Sequence, residues 1–295
     1  MGGKLSRSWA MTKESWAVLR ADKTLVLFPL ISSIALFFVL ASFAVPVVMA
    51  LMDAGVFEGG VKGEEELPMS TRIVFLVIGF AYYFVSFTVM NFFNVALIGA
   101  AMERFEGRDA GVRVGLSIAV KRIPQILLWS LVAATIGMIL KAIEERAGLI
   151  GRIVIAFVGM AWAIASFFVV PVLAVEGLGP FDALKRSVEV LKKSWGEAAL
   201  TRIGVNVVSS LLLLILLGGG TIGTIAVFAL TESVGLTIAV AALVIVAAVA
   251  LGLISTTLQS ILQAAIYRYA AFETVAPGFS AATLRGAFEP KKKKK

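Results

Sequence analysis

The chain has no cysteine and no histidine among its 295 residues. The first absence excludes disulfides and thiolate chemistry; the second removes imidazole as a metal ligand and as the proton carrier that titrates near neutral pH. A serine–histidine catalytic arrangement is impossible, and no cluster with metal-ligand spacing takes its place. Carboxamides are scarce too, with Asn and Gln occurring three times each. Charged residues make up only 16% of the chain, and no apolar run carries the paired aspartates of an intramembrane aspartyl protease. No enzyme activity and no cofactor are therefore expected.

What remains is apolar. Hydrophobic residues reach 59%, against about 45–50% in soluble domains, and the mean hydropathy is +0.95. A hydrocarbon core of roughly 30 Å needs about 20 helical residues, and runs near 24–52, 73–100, 123–141, 152–175, 203–230 and 234–267 meet or approach that length. Lipid offers backbone groups no hydrogen bonds, so unbroken runs of this length must be helices. The expected fold is an all-α polytopic transmembrane helical bundle of about six spans, one domain over 1–272 with a basic tail at 273–295. The first 23 residues spread Lys4, Arg7, Lys13, Arg20 and Lys23 along their length without a compact apolar core. The first span is expected to act as its own insertion signal.

Charge orients the bundle. Of the 27 Lys and Arg, 22 fall in four segments that share one side of the membrane. Basic residues are retained in the cytoplasm, which puts the protein in the cell membrane with both termini cytoplasmic. The 53–71 connection, with Asp53, Glu58, Glu64, Glu65 and Glu66 against Lys62, reads as external.

The sequence also suggests three parallel units near 5–103, 111–176 and 181–272, each a cytoplasmic amphipathic segment followed by a two-span hairpin. The clearest segment is 182–195, where Leu184, Val188, Leu191 and Trp195 fall at helical spacing and charged residues cover the other face. The N-terminal copy aligns Leu5, Trp9, Trp16 and Leu19, the second aligns Val112, Leu116, Ala119 and Ile123, and a truncated fourth covers 279–288. Membrane lipids are the expected partners. Lys185, Arg186, Lys192 and Lys193, with the terminal Lys291, Lys292, Lys293, Lys294 and Lys295, are placed to meet anionic headgroups; the alternative for the lysine run is a solvated tail. Nucleic acid is not expected, because topology already explains the basic rim and no stacking motif accompanies it.

Polar residues inside the spans gather toward the cytoplasmic half. Asn91, Asn94, Glu176, Arg202, Asn206, Gln259 and Gln263 form the candidate cluster, with Asn94 and Gln259 at matching points of their spans. Intramembrane polar groups mark either a site or hydrogen bonds between helices, and both readings stand here. Glu176 and Arg202 are candidates for a salt bridge at the inner mouth. The run GGGTIGT at 218–224 reads as an external turn, and Pro29, Pro46 and Pro171 as kinks.

Two stretches carry a resemblance. SRSWAMTKESWAVLRADKTLVLFPLIS and LAVEGLGPFDALKRSVEVLKKSWGE are similar to a prokaryotic family of six-span integral membrane proteins of unknown function. The EGLGPFDALKRS segment also resembles, more distantly, the membrane domain attached to some glycerophosphodiester phosphodiesterases. The first resemblance implies fold and location, and the second transfers no catalytic residue. Residues and resemblance together lead to a non-enzymatic membrane protein that contacts lipid and accommodates or transports a small or amphiphilic solute. Docking another protein through the cytoplasmic helices is the alternative, and a lipid-modifying enzyme a third reading.

Overall fold

The computed structural model describes residues 2–53, 69–108, 110–193, 197–281 and 284, without the side chains of 2–8, 50, 51, 53, 70–72 and 197–211. In order come α1 (Gly2–Ala21), a 3-10 turn (Lys23–Val26), α2 (Leu27–Asp53), α3 (Met69–Phe105), α4 (Val112–Lys121) and α5 (Ile123–Arg146). Then follow α6 (Leu149–Ala165), α7 (Val169–Val175), α8 (Pro180–Lys193), α9 (Glu197–Thr231) and α10 (Val234–Phe272). There is no strand among the described residues. Among the described residues six helical segments are long and apolar enough to cross a membrane: Lys23–Met49, Ile73–Phe105, Ile123–Arg146, Leu149–Val175, Leu212–Thr231 and Val234–Phe272. The protein is an all-α transmembrane bundle. A short helix precedes each hairpin, with α1 before α2 and α3, α4 before α5 and the α6–α7 span, and α8 before α9 and α10.

The two ends of the bundle are built differently. With 37 residues in α3 and 39 in α10, these helices run about 55–58 Å, far more than a hydrocarbon core of roughly 30 Å. Their C-terminal turns pack against the short helices. Val95, Ile98 and Phe105 of α3 meet Ile261, Ile266 and Tyr267 of α10 in one core with Leu19, Leu25 and Leu173. At the hairpin tips large apolar side chains stand open, as at Ile150 (80% exposed) and Leu230 (85% exposed). Lipid tails are as apolar as leucine, so nothing drives these outer surfaces together.

The glycine run at 218–224 forms no turn. Helix α9 continues through it to Thr231, and the chain reverses at Glu232, whose φ is 49°. An open turn within the hydrocarbon would strand backbone groups, whereas a glycine inside the helix lets the next span approach. A Cβ on Gly220 would lie 2.5 Å from Val244 of α10. Pro29 sits in the first turn of α2, where its missing N–H has no helical partner to lose. Pro46 lies inside α2, which continues past it.

Each short helix turns a slightly different face inward from the one its large apolar residues suggest. The buried face of α1 is Met11, Ser15, Val18 and Leu19, while Trp9 and Trp16 are exposed. In α4 it is Gly115 and Ala119, with Val112 and Leu116 half-buried and Ile123 exposed. In α8 it is Ala183, Ser187 and Val190, flanked by half-buried Leu184, Val188 and Leu191. Small residues at the centre of each seam allow close contact; a Cβ on Gly115 would fall 2.5 Å from the Ala96 carbonyl oxygen. Trp195 lies outside the described residues.

Beyond α10 the chain folds back onto the core. Ala276, Phe279 and Leu284 are buried, and Phe279 meets Phe105 edge-on at 6.2 Å. Residues of the expected tail therefore belong in part to the bundle. Most of the 279–288 segment and all of Lys291 to Lys295 lie outside the described residues.

Candidate functional site

The fourth span is broken, and the break organises the polar residues around it. Pro171 has no N–H to offer the Phe167 carbonyl one turn back, and its ring crowds that carbonyl. The helix stops at Ala165 and resumes at Val169, which takes the Ala165 and Phe167 carbonyls and the Phe168 N–H out of the regular helical ladder. Side chains from two other helices satisfy them. Ser187 of α8 accepts a hydrogen bond from the Phe168 N–H at 2.9 Å and donates to the Ala165 carbonyl at 2.6 Å. Gln263 of α10 donates to the Phe167 carbonyl. A buried backbone group left unpaired costs about 1–3 kcal/mol, so the break persists because α8 and α10 close it.

One turn further, α7 ends in a second knot. The Gly177 N–H returns to the Val172 carbonyl at 2.9 Å, with Gly177 in the left-handed region at φ +67°. A Cβ there would lie 2.2 Å from the Arg122 guanidinium, which packs across the glycine. The Gln125 carboxamide donates to the Gly177 carbonyl at 3.3 Å. Glu176, just before this turn, takes Arg186 of α8 as its ionic partner, with Nε donating to its two oxygens at 2.9 and 3.2 Å. The Tyr267 hydroxyl of α10 donates to the same carboxylate. The hydrogen bond to Glu176 holds the Arg186 pKa above its usual value, so the guanidinium stays charged.

These contacts reassign several residues. Glu176 pairs with Arg186; its expected pairing with Arg202 falls on a side chain outside the described residues. Arg186, placed by pattern among the headgroup-facing cations, is turned inward instead. Lys185, Lys192 and Lys193 are exposed. The Arg202 and Asn206 side chains lie outside the described residues.

Asn91 donates to the Ser130 hydroxyl of α5 at 3.0 Å, both residues buried. This is a helix-to-helix clasp. Gln259 is half-buried on α10, one turn before Gln263. Asn94 faces a different setting: it lines a cleft of about 420 Å³ between α2, α3 and α10. Ser32 and Ser33 of α2 and Thr256 of α10 also line it, and none of the described lining residues is charged. Met90 and Val249 on its rim are 42% and 51% exposed, so the cleft opens sideways onto the surface of the bundle.

The candidate cluster is therefore distributed. Gln263 and Glu176 close the broken span, Asn91 joins α3 to α5, and among the members whose side chains are described Asn94 alone enters the cleft. Ser187, Tyr267, Ser130 and Gln125 complete these arrangements and were not singled out by sequence. The one available signal was Ser187, which lies within EGLGPFDALKRS together with Glu176, Gly177 and Arg186. That short segment builds most of the knot. Among the described residues no group of His, Cys, Asp and Glu is placed to hold a metal ion.

No curated protein and no solved structure matches the chain. A sequence profile does match over residues 73–278, and the chain thus belongs to the family of unknown function DUF6159.

Proposed function

We propose that this protein is a non-enzymatic component of the cell membrane, with both termini in the cytoplasm, that seats an amphiphilic molecule in the cleft between α2, α3 and α10. The cleft carries the proposal. It is about 420 Å³ in volume and open to the lipid side, with an amide and three hydroxyls in an otherwise apolar lining. That combination of apolar wall and a few polar groups is characteristic of small-molecule sites.

Lipid contact at the short-helix end is part of the same reading. Exposed Lys13, Arg20, Lys23, Arg113, Lys121, Lys185, Lys192 and Lys193 surround that end, a collar suited to anionic headgroups. The short helices present these cations outward beside the exposed rings of Trp9, Trp16 and Phe181, a pairing of basic and aromatic side chains suited to the membrane interface. This favours headgroups over a protein partner. No curated match supports the expected likeness of EGLGPFDALKRS to a phosphodiesterase membrane domain, and it brings no activity into the proposal.

The absence of cysteine makes any introduced thiol unique. Gly252→Cys, carrying an environment-sensitive fluorophore, should be quenched saturably by a brominated-chain monoacylglycerol in phosphatidylcholine vesicles. Leu230→Cys at the hairpin tip should respond only in proportion to probe concentration. Equal, non-saturating responses would remove the cleft from the account. In intact cells Gly3→Cys should resist impermeant thiol reagents and Gly60→Cys should react; the opposite pattern would invert the orientation.

A further inference from the structure

We infer that the occupant of the cleft is an uncharged, single-chain amphiphile with a hydroxyl-bearing head, seated with its head at Asn94 and its chain toward the hairpin tips. The inference rests on the cleft reading above and deepens it to a ligand class.

Polarity changes along the cleft in the same sense on all three helices. On α2, Ser32 and Ser33 lie nearer the short-helix end and Leu36 nearer the tips; on α3, Asn94 precedes Met90 in that direction; on α10, Thr256 precedes Val249. From Thr256 to Val249 the helix advances about 10 Å. A bound molecule therefore meets its polar partners at one end and an apolar wall beyond them, the sense in which a lipid of that leaflet already lies. A volume of about 420 Å³ stands toward the lower end of the usual range for small-molecule sites, which suits one chain rather than two.

Charge decides the head. Among the described residues, the cleft lining holds no cation to pair with a carboxylate or phosphate and no anion to pair with an amine. An ionised group placed there would lose its hydration without compensation, a cost that exceeds any gain from burying its chain. Donor and acceptor balance narrows the class further. The Ser33 hydroxyl already donates to the Pro29 carbonyl at 2.8 Å, so toward the cleft it offers lone pairs alone. The Asn94 carboxamide offers both a donor and an acceptor. A head with at least one O–H satisfies both, as a monoacylglycerol or a long-chain alcohol does.

The test compares two photoactivatable probes with the same diazirine-bearing chain, a monoacylglycerol and a lysophosphatidic acid, on the full chain in phosphatidylcholine vesicles. The monoacylglycerol should label peptides around Leu36, Met90 and Val249, and the phosphate-bearing probe should not. Asn94→Leu should lower that labelling roughly fivefold to tenfold, the equivalent of one lost hydrogen bond. Gly252→Phe should abolish it by occupying the cleft, where a Cβ meets nothing within 4 Å. Equal labelling of the cleft by both probes would overturn the uncharged class and leave the cleft reading standing. Labelling spread over all spans and unchanged by Gly252→Phe would overturn both. Should Asn94→Leu lower the unfolding temperature, Ser32→Ala with Thr256→Val replaces it, and undiminished labelling in that pair would overturn the placement of the head.

Discussion

At the scale of single residues, the polar side chains of the spans mostly answer backbone groups that another residue has set free. Pro171 releases the Phe167 carbonyl, and Gln263 meets it from 96 positions away. The dependence predicts a definite pattern of non-additivity. Gln263→Leu should destabilise the protein by about 1–3 kcal/mol, because the carbonyl loses the buried donor that meets it. Pro171→Ala supplies an N–H at the i+4 position, so Gln263→Leu should be markedly milder on that background. Unfolding of the four proteins in detergent measures the cycle; equal costs of Gln263→Leu on both backgrounds would show that the two residues are not linked. Half of this was legible in the sequence. Counting back one turn from Pro171 identifies the carbonyl released from the helix, but nothing local to Pro171 or Gln263 says that they meet. The same holds for Glu176, which meets Arg186 on the adjoining helix. Gly177, by contrast, sits at the kind of helix end where a left-handed glycine is expected.

At the scale of elements, the spans were legible because they obey the solvent. Apolar runs bounded by charge located all six to within several residues at most ends, and hydrogen-bond satisfaction in lipid left helices as the unbroken solution. The errors came where a residue type carries two meanings. Glycines at 218–224 suggest a turn in water, but inside an apolar helix Gly220 serves close packing against Val244. In the short helices the largest apolar residues suggested the buried face, yet the seam is centred on small residues that permit contact. Helix α8 puts this to the test. Val190 is fully buried, Leu191 half-buried and Lys192 exposed. Val190→Asp should therefore cost at least the roughly 1.5–3 kcal/mol of burying an aliphatic side chain, Leu191→Asp less, and Lys192→Asp little. Thermal unfolding in detergent ranks them, and a larger loss at Leu191 than at Val190 would return the seam to the face suggested by its large residues.

At the scale of the whole molecule, the bundle joins a tightly packed end to an open one. Helices α1, α4 and α8 and the segment after α10 clamp the long ends of α3 and α10, while the described tips at Ile150 and Leu230 leave apolar side chains exposed. The cleft lies where α2, α3 and α10 meet beside the packed end, and α10 belongs to both, lining the cleft at Thr256 and closing the broken span at Gln263 seven residues later. This convergence was not legible in the sequence. Lining residues come from three helices spread between Pro29 and Thr256, and among the candidate polar residues only Asn94 pointed there. The central claim is that this cleft is an amphiphile site supported by a fixed knot. Its most direct test is electron cryomicroscopy of the full chain extracted with its native lipids. The account predicts an elongated density in the cleft with one end at hydrogen-bond distance from Asn94, while Gln263 reaches the Phe167 carbonyl and Arg186 pairs with Glu176. A well-resolved map in which α2 and α10 close against each other at Ser32 and Gly252, leaving no space for a chain, would contradict it.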